Sequence, residues 1–203
     1  MSDIKIEDHY LTSYELKKVQ DLFAPDRKRK IRYKDKELGF IPWNFGFVNH
    51  PHLYQNSIKK SGEDSPYTYH LTSCHYHATP PNVGIHPIVT EAAHLIIPLF
   101  FSKIKSLFIL RIKSNLQLKT TEIEPSPFHT DCELDDEADS SFLNGLKTSI
   151  FYINSNDGYT EFKDGTKIES VANRLVTFPL HMEHRGTTCT NKPFRLVINF
   201  NYF

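Results

Sequence analysis

The sequence predicts a mainly β protein with flanking helices, an α+β arrangement. Its core is expected to be a double-sheet jelly roll, a cupin-like double-stranded β-helix, with N-terminal helices packed outside it. Three observations carry this. Apolar residues recur at helical spacing only in the first half, over residues 11–24 and 90–105. From residue 107 the period changes to two. The second half is then punctuated by tight turn signals, Asn156-Asp157-Gly158 and Asp164-Gly165, between β-branched and aromatic runs.

Each element follows from its residues in order. Over 11–24, Leu16, Val19, Leu22 and Phe23 share one helical face, Thr12 or Ser13 caps it, Glu15 and Lys18 fall on the exposed side, and Pro25 stops it. Residues 26–37 carry seven basic side chains and read as a solvated loop. The aromatic stretch 40–47 contains Pro42 and suits a loop and an edge strand. Residues 55–66 are polar, with Gly62 and Pro66, and read as a loop. Residues 67–77 have strand composition, and 79–84 form a turn. A second helix over 90–105 meets Pro98 and is expected to kink or restart there. Over 107–119, Arg111, Lys113, Asn115 and Gln117 share one strand face. Strands are further expected at 148–154, 159–163, 174–178 and 194–202. The turn at 156–158 reads as a hairpin, as does Asp164-Gly165. A turn at Thr190-Asn-Lys-Pro193 would set His184 and Arg195 on two strands of one hairpin.

At 203 residues the chain is sized for one domain, with a supporting helical part over 1–106 and the jelly-roll core over 107–203. The 24 basic and 24 acidic residues balance, so net charge offers no reason to expect nucleic acid or a membrane surface as partner. Three cysteines, Cys74, Cys132 and Cys189, are widely spaced without a CxxC pair, which argues against a disulfide framework. Reduced thiols and the lack of a signal pattern at the N-terminus point to a cytoplasmic protein. The most apolar run, 94–101, is too short to span a bilayer and contains Pro98.

Chemistry concentrates in Pro127-Phe-His-Thr-Asp131. His129 and Asp131 are two apart, so an extended backbone sends both side chains to one face. A histidine from a distant strand would complete two imidazoles and one carboxylate on one side of a metal, leaving the other side open, a set suited to non-heme Fe(II). Two histidines compete for that place, His181 and His184. The Arg-Gly-Thr after His184, and the eleven residues from it to Arg195, favour His184. Folded about the turn at 190–193, the two would be staggered by roughly 10 Å at strand rise. A guanidinium at that distance can take the far carboxylate of a diacid chelated to the metal.

The segment 107–203 resembles the catalytic core of the Fe(II)- and 2-oxoglutarate-dependent oxygenases, in particular prolyl-hydroxylase-like members of bacteria and marine phages. The matching residues are Arg111-Ile-Lys-Ser-Asn-Leu116, Phe128-His-Thr-Asp131, Tyr152-Ile-Asn154, Gly158-Tyr-Thr-Glu-Phe162 with Asp164-Gly165, and His184-Arg-Gly-Thr187 with Arg195. The resemblance implies iron ligation by His129, Asp131 and His184, and a 2-oxoglutarate clamp at Arg195. It implies O2 as co-substrate and hydroxylation of a C–H bond, of a prolyl or other amino-acid residue in the first instance. Asp131 argues against halogenation, since related halogenases leave the carboxylate position to halide. Many prolyl hydroxylases carry lysine where this chain has Arg195. Some relatives place serine two residues after the arginine, where this chain has Val197. A second clamp residue must then come from elsewhere, and Tyr152 and Asn115 are the candidates.

Other clusters have simpler readings. Cys74, His75 and His77 can be drawn as a zinc site, but no second cysteine pair follows and strand alternation explains them. The five carboxylates at 133–139 follow the ligand pair directly and suit either an acidic solvated loop or a mouth that attracts a basic small-molecule or peptide substrate. Cys132, beside Asp131, is an oxidation-sensitive thiol if exposed. The rival functions are a nucleic-acid demethylase on the same scaffold and a non-catalytic jelly-roll binding or structural protein.

Overall fold

The computed structural model describes residues 3–23, 31–33, 36–38, 44–47, 69–78, 88–131 and 145–203. Its elements are β1 (Lys5–Glu7), α1 (Ser13–Leu22), β2 (Ile31–Tyr33), β3 (Lys36–Leu38), β4 (Asn44–Phe47), β5 (Tyr69–His77), β6 (Ile88–Val89) and α2 (Glu91–Phe101). They continue with β7 (Ile109–Leu118), β8 (Lys147–Tyr152), β9 (Tyr159–Phe162), β10 (Lys167–Glu169), β11 (Arg174–Pro179), β12 (His184–Gly186) and β13 (Phe194–Tyr202).

The organising strand is β13. Its alternation is strict: Leu196, Ile198, Phe200 and Tyr202 on one face, Arg195, Val197, Asn199 and Asn201 on the other. Both faces are buried, which places it inside an antiparallel eight-stranded sheet ordered β1-β11-β8-β13-β7-β5-β4, with β6 added on β5. A smaller sheet, β10-β9-β12, covers part of the second face.

The two faces have different jobs. The apolar face of β13 receives both helices. Val19 and Leu22 of α1, and Leu95, Ile96 and Phe100 of α2, join Ile112, Phe151, Ile198 and Phe200 in one cluster. Phe100 lies 4.5 Å from the Phe200 ring and 4.8 Å, edge-on, from Phe151. On the second face, Ile150, Tyr152, Val176, Phe178 and Val197 of the large sheet pack on Phe162 and Ile168 of the small one. The polar end of this inter-sheet space holds the candidate site.

Helix α1 starts at a capping box. The Thr12 side chain accepts from the Glu15 backbone N–H, and the Glu15 carboxylate accepts from the Thr12 N–H. The box draws Glu15 in, and Lys18 lies over the Tyr14 ring, so both are half-buried and not exposed as the spacing predicts. Helix α2 runs through Pro98 to Phe101 without restarting.

Four expectations are revised. Part of the basic stretch is a β2–β3 hairpin and not a loop. The 156–158 turn is not a hairpin: β8 pairs with β11 and β13, whereas β9 pairs with β10 and β12, so the turn carries the chain from one sheet to the other. His184 and Arg195 likewise do not share a hairpin, because β12 lies in the small sheet and β13 in the large one. Turn chemistry marks where a chain reverses, not which sheet it enters next. Lastly, the first half is not only helical support, since β1, β4, β5 and β6 extend the large sheet. The hairpin at Asp164-Gly165 is present, with Gly165 at φ +88. β4 is an edge strand.

The loops expected at 55–66 and 79–84, the acidic stretch 133–139 and Cys132 lie outside the described residues. Cys74 and Cys189 are free thiols. Among the described residues, no helix is long and apolar enough to cross a membrane.

Candidate metal centre and its anion pocket

His129 and His184 face each other across a two-way backbone bridge, each N–H donating to the other's carbonyl at 3.0 Å. That bridge sets their rings 4.8 Å apart. Each Nδ1 meets a backbone oxygen, Pro127 O at 3.2 Å for His129 and Met182 O at 3.0 Å for His184. An Nδ1–H donated there leaves Nε2 as the lone-pair nitrogen, the arrangement a metal-ligating imidazole needs. Phe178 packs edge-on against the His184 ring at 4.8 Å and fixes its plane. With Asp131, the ligand atoms of the three residues all lie within 4.8 Å of one another. Among the described residues this is the only such group of three or more potential metal ligands.

Asp131 is held on both oxygens. Arg111 donates to Oδ1 at 3.3 Å and to the backbone carbonyl at 2.6 Å. Thr148 Oγ1 and Asn201 Nδ2 each donate to Oδ2 at 3.0 Å. Burial by itself would raise the Asp131 pKa, but His184, Arg111 and His129, with the Asn201 hydrogen bond, hold it well below the usual carboxylate range. His129 keeps part of its surface open to solvent. The protein mass around its ring still disfavours the charged form and pushes its pKa down to about 4, with His184 adding to the effect. At neutral pH the set is therefore one carboxylate and a neutral His129 imidazole beside His184.

Arg195 lies on the same sheet face, and the structure buries it to 3% exposure. Its donors go to neutral acceptors: Nε to Ser170 Oγ at 2.8 Å, one terminal nitrogen to Gln117 Oε1 at 2.9 Å, the other to Thr160 Oγ1 at 3.0 Å. No carboxylate pairs with it among the described residues. Desolvation opposes its charge. Gly186 of β12 leaves the space that the guanidinium occupies, since a Cβ there would come within 3.2 Å of it. Tyr152 is fully buried with Arg195 above its ring, 5.5 Å from the centroid, and its hydroxyl donates to Thr160 Oγ1 at 2.7 Å. Asn115 is half-buried on β7, opposite Val197 and between Lys113 and Gln117 on that face.

The fold of this chain is similar to that of solved oxygenase structures. It covers 98% of the chain and 84% of a 2OG-Fe(II) oxygenase-family oxidoreductase from Burkholderia pseudomallei, with a TM-score of 0.58 at 10% identity. It covers 100% of the chain and 84% of a prolyl hydroxylase from Trichoplax adhaerens, solved with a hypoxia inducible factor oxygen degradation domain peptide fragment, with a TM-score of 0.55 at 12% identity. No protein-family model matches the sequence, and no curated protein matches it.

Among the expected residues, the structure brings His129, Asp131 and His184 together, whereas His181 is exposed and outside the group. The drawn zinc cluster comes apart. His75 turns to the helix side, its Nε2 2.7 Å from Ser114 Oγ, and Cys74 takes the opposite face of β5. Sequence reasoning missed the residues that hold the principal groups: Gln117, Thr160 and Ser170 around Arg195, and Arg111, Thr148 and Asn201 around Asp131. One signal was available. Arg111, Lys113, Asn115 and Gln117 make a wholly polar face on a strand, and in a sheet covered on both sides such a face marks a site and not solvent.

Proposed function

We propose that this protein is an Fe(II)- and 2-oxoglutarate-dependent dioxygenase with a jelly-roll core, spanning the chain as one domain. Its substrate is a C–H bond of an amino-acid residue, prolyl in the first instance, within a peptide or a free amino acid. The carrying observation is Arg195: a buried guanidinium without a carboxylate partner among the described residues, on the sheet face that also meets Asp131 through Asn201. Burying such a charge unpaired is costly, so the site favours an acid.

The donor set fits the metal. Two imidazoles with Nδ1 engaged by backbone carbonyls and one ionised carboxylate leave an open side, the pattern suited to non-heme Fe(II). His129, Asp131 and His184 would hold the iron, and Arg195 the distal carboxylate of 2-oxoglutarate, with Tyr152 setting the floor beneath the guanidinium. Bound there, iron and the keto acid supply oxidative decarboxylation, with O2 as oxidant, coupled to hydroxylation of the substrate. The chain does the rest. Arg111, Thr148 and Asn201 orient the Asp131 carboxylate. Gln117, Thr160 and Ser170 fix the guanidinium fork before ligand arrives. The apolar residues between the sheets limit water around the reacting groups.

A peptidyl substrate is supported by the Trichoplax adhaerens hydroxylase, which was solved with a peptide. The test is uncoupled turnover. With Fe(II), O2 and 2-oxoglutarate but no added substrate, the protein should release succinate, and His184→Ala should not. No iron-dependent succinate release from the parent would leave a jelly-roll binding protein as the reading.

A further inference from the structure

Lys113 and Asn199, both on the site face, have no role in the account so far. Lys113 on β7 stands directly opposite Asn199 on β13. Their level lies between that of Arg111 and Asn201, which hold Asp131, and that of Gln117 and Arg195, which form the distal anion pocket. Asn199 is only 6% exposed, yet its Oδ1 has no hydrogen-bond partner among the described residues. Lys113 is half-buried, and no hydrogen bond or ion pair to its ammonium is found among the described residues either. It stands two residues from Arg111 on β7, on the same strand face, and Arg111 binds Asp131.

A buried amide oxygen without a partner costs about 1–3 kcal/mol, and an unpaired, half-buried ammonium adds to the cost. Both costs are concentrated at one level of one face. Charge leads to the same place. Arg111, Lys113 and Arg195 bring three positive charges to this face, and Asp131 is the only described carboxylate that answers them. Before any metal is bound the face thus has two positive charges in excess, enough for both ends of a dianion, and Arg195 accounts for only one of those ends.

We infer that Lys113 and Asn199 form a second anion anchor, which holds the inner carboxylate of the keto acid beside the metal. The ammonium donates to that carboxylate and to Asn199 Oδ1, and Asn199 in turn fixes the lysine. The co-substrate is thus gripped at both ends, with Arg195 reading the distal carboxylate. The inference rests on the 2-oxoglutarate reading above. It assigns a division of labour: Lys113 recognises any 2-oxo acid, and Arg195 selects the dicarboxylic one.

The test uses full-length protein loaded with Zn(II), which permits binding without turnover, and titrates 2-oxoglutarate and 2-oxobutyrate by calorimetry. Lys113→Met should weaken both acids by the same factor, tenfold or more. Asn199→Ala should weaken both by a smaller factor. Arg195→Met should weaken 2-oxoglutarate alone. Metal-free Lys113→Met should melt no lower than the parent, because an unpaired ammonium has been removed, and a merely structural lysine would give a lower melting temperature. Unchanged binding of both acids in Lys113→Met overturns the inner anchor while the 2-oxoglutarate reading stands. Loss confined to 2-oxoglutarate also overturns it, by moving Lys113 to the distal end. If the parent binds neither acid, the functional reading itself falls and the anchor with it.

Discussion

At the scale of single residues, the site is decided by what each titratable group is denied. Among the described residues, Arg195 is denied a counter-ion, and Asp131 is denied water but given three donors. These environments make two predictions. His184→Ala should abolish tight metal binding, read by calorimetry with Fe(II) under anaerobic conditions, whereas His181→Ala should bind as the parent does. His184 is buried with its Nδ1 engaged and His181 points to solvent. The reverse pattern would refute the distal ligand. Arg195→Ala should leave metal affinity within a few-fold but weaken 2-oxoglutarate by roughly 2–5 kcal/mol, the usual loss when a buried charge pair is broken. Arg195→Lys should recover part of this, since an ammonium restores charge without the fork that Gln117, Thr160 and Ser170 now hold. Undiminished affinity in Arg195→Ala would place the clamp elsewhere.

At the scale of elements, the contrast between what the sequence reveals and what it conceals is physical. Strand signals are local, so β7 is legible in its alternation, β8, β11 and β13 in their β-branched and aromatic composition, and α1 in its 3.6 period. The ligand pair at His129 and Asp131 is legible for the same reason, being set by a spacing of two. Sheet membership is a property of long-range pairing, and no short window contains it. Asn156-Asp157-Gly158 therefore reads as a hairpin although it crosses between sheets. Arg195 reads as a neighbour of His184 along a ladder although it meets that region across the gap. The partners Thr160, Ser170 and Thr148 are small hydroxyls without a pattern of their own, visible only once the sheets are stacked. The crossing turn itself is testable. A Cβ at Gly158 would lie 2.5 Å from the Thr188 carbonyl oxygen and 2.9 Å from Arg195 Cδ. Backbone oxygen cannot step aside as a flexible side chain can. Gly158→Ala should therefore cost about 1–3 kcal/mol of stability, as overpacking does, measured by urea denaturation. It should also weaken 2-oxoglutarate more than metal, since the arginine is the displaced neighbour. Stability equal to the parent would mean that the turn has room the structure does not show.

At the scale of the whole molecule, the large sheet separates two environments, an apolar helix side and a polar site side. An imidazole is set on the apolar side. His75 is fully buried beneath the helices, with Nε2 2.7 Å from Ser114 Oγ, Nδ1 3.5 Å from Thr90 Oγ1, and Phe23 edge-on at 5.8 Å. Its neighbours are neutral, and burial pushes its pKa down to about 4. In the unfolded chain the imidazole titrates near 6.5. Between these values the unfolded state binds more protons than the folded one, so stability rises with pH across the window and is lost as pH falls from about 6.5 toward 4. The full loss from this one group is about 3 kcal/mol. His129 shifts in the same direction in the metal-free protein. The depressed carboxylates, Asp131 among them, add their losses only as pH falls below their unfolded values near 4. The melting temperature of metal-free protein should therefore already decline between pH 6.5 and 4.5, before carboxylates titrate. His75→Asn should be less stable at pH 7 but show a shallower decline over that interval. A variant whose melting temperature falls as steeply as the parent's would show that the buried imidazole is not what makes the fold acid-sensitive.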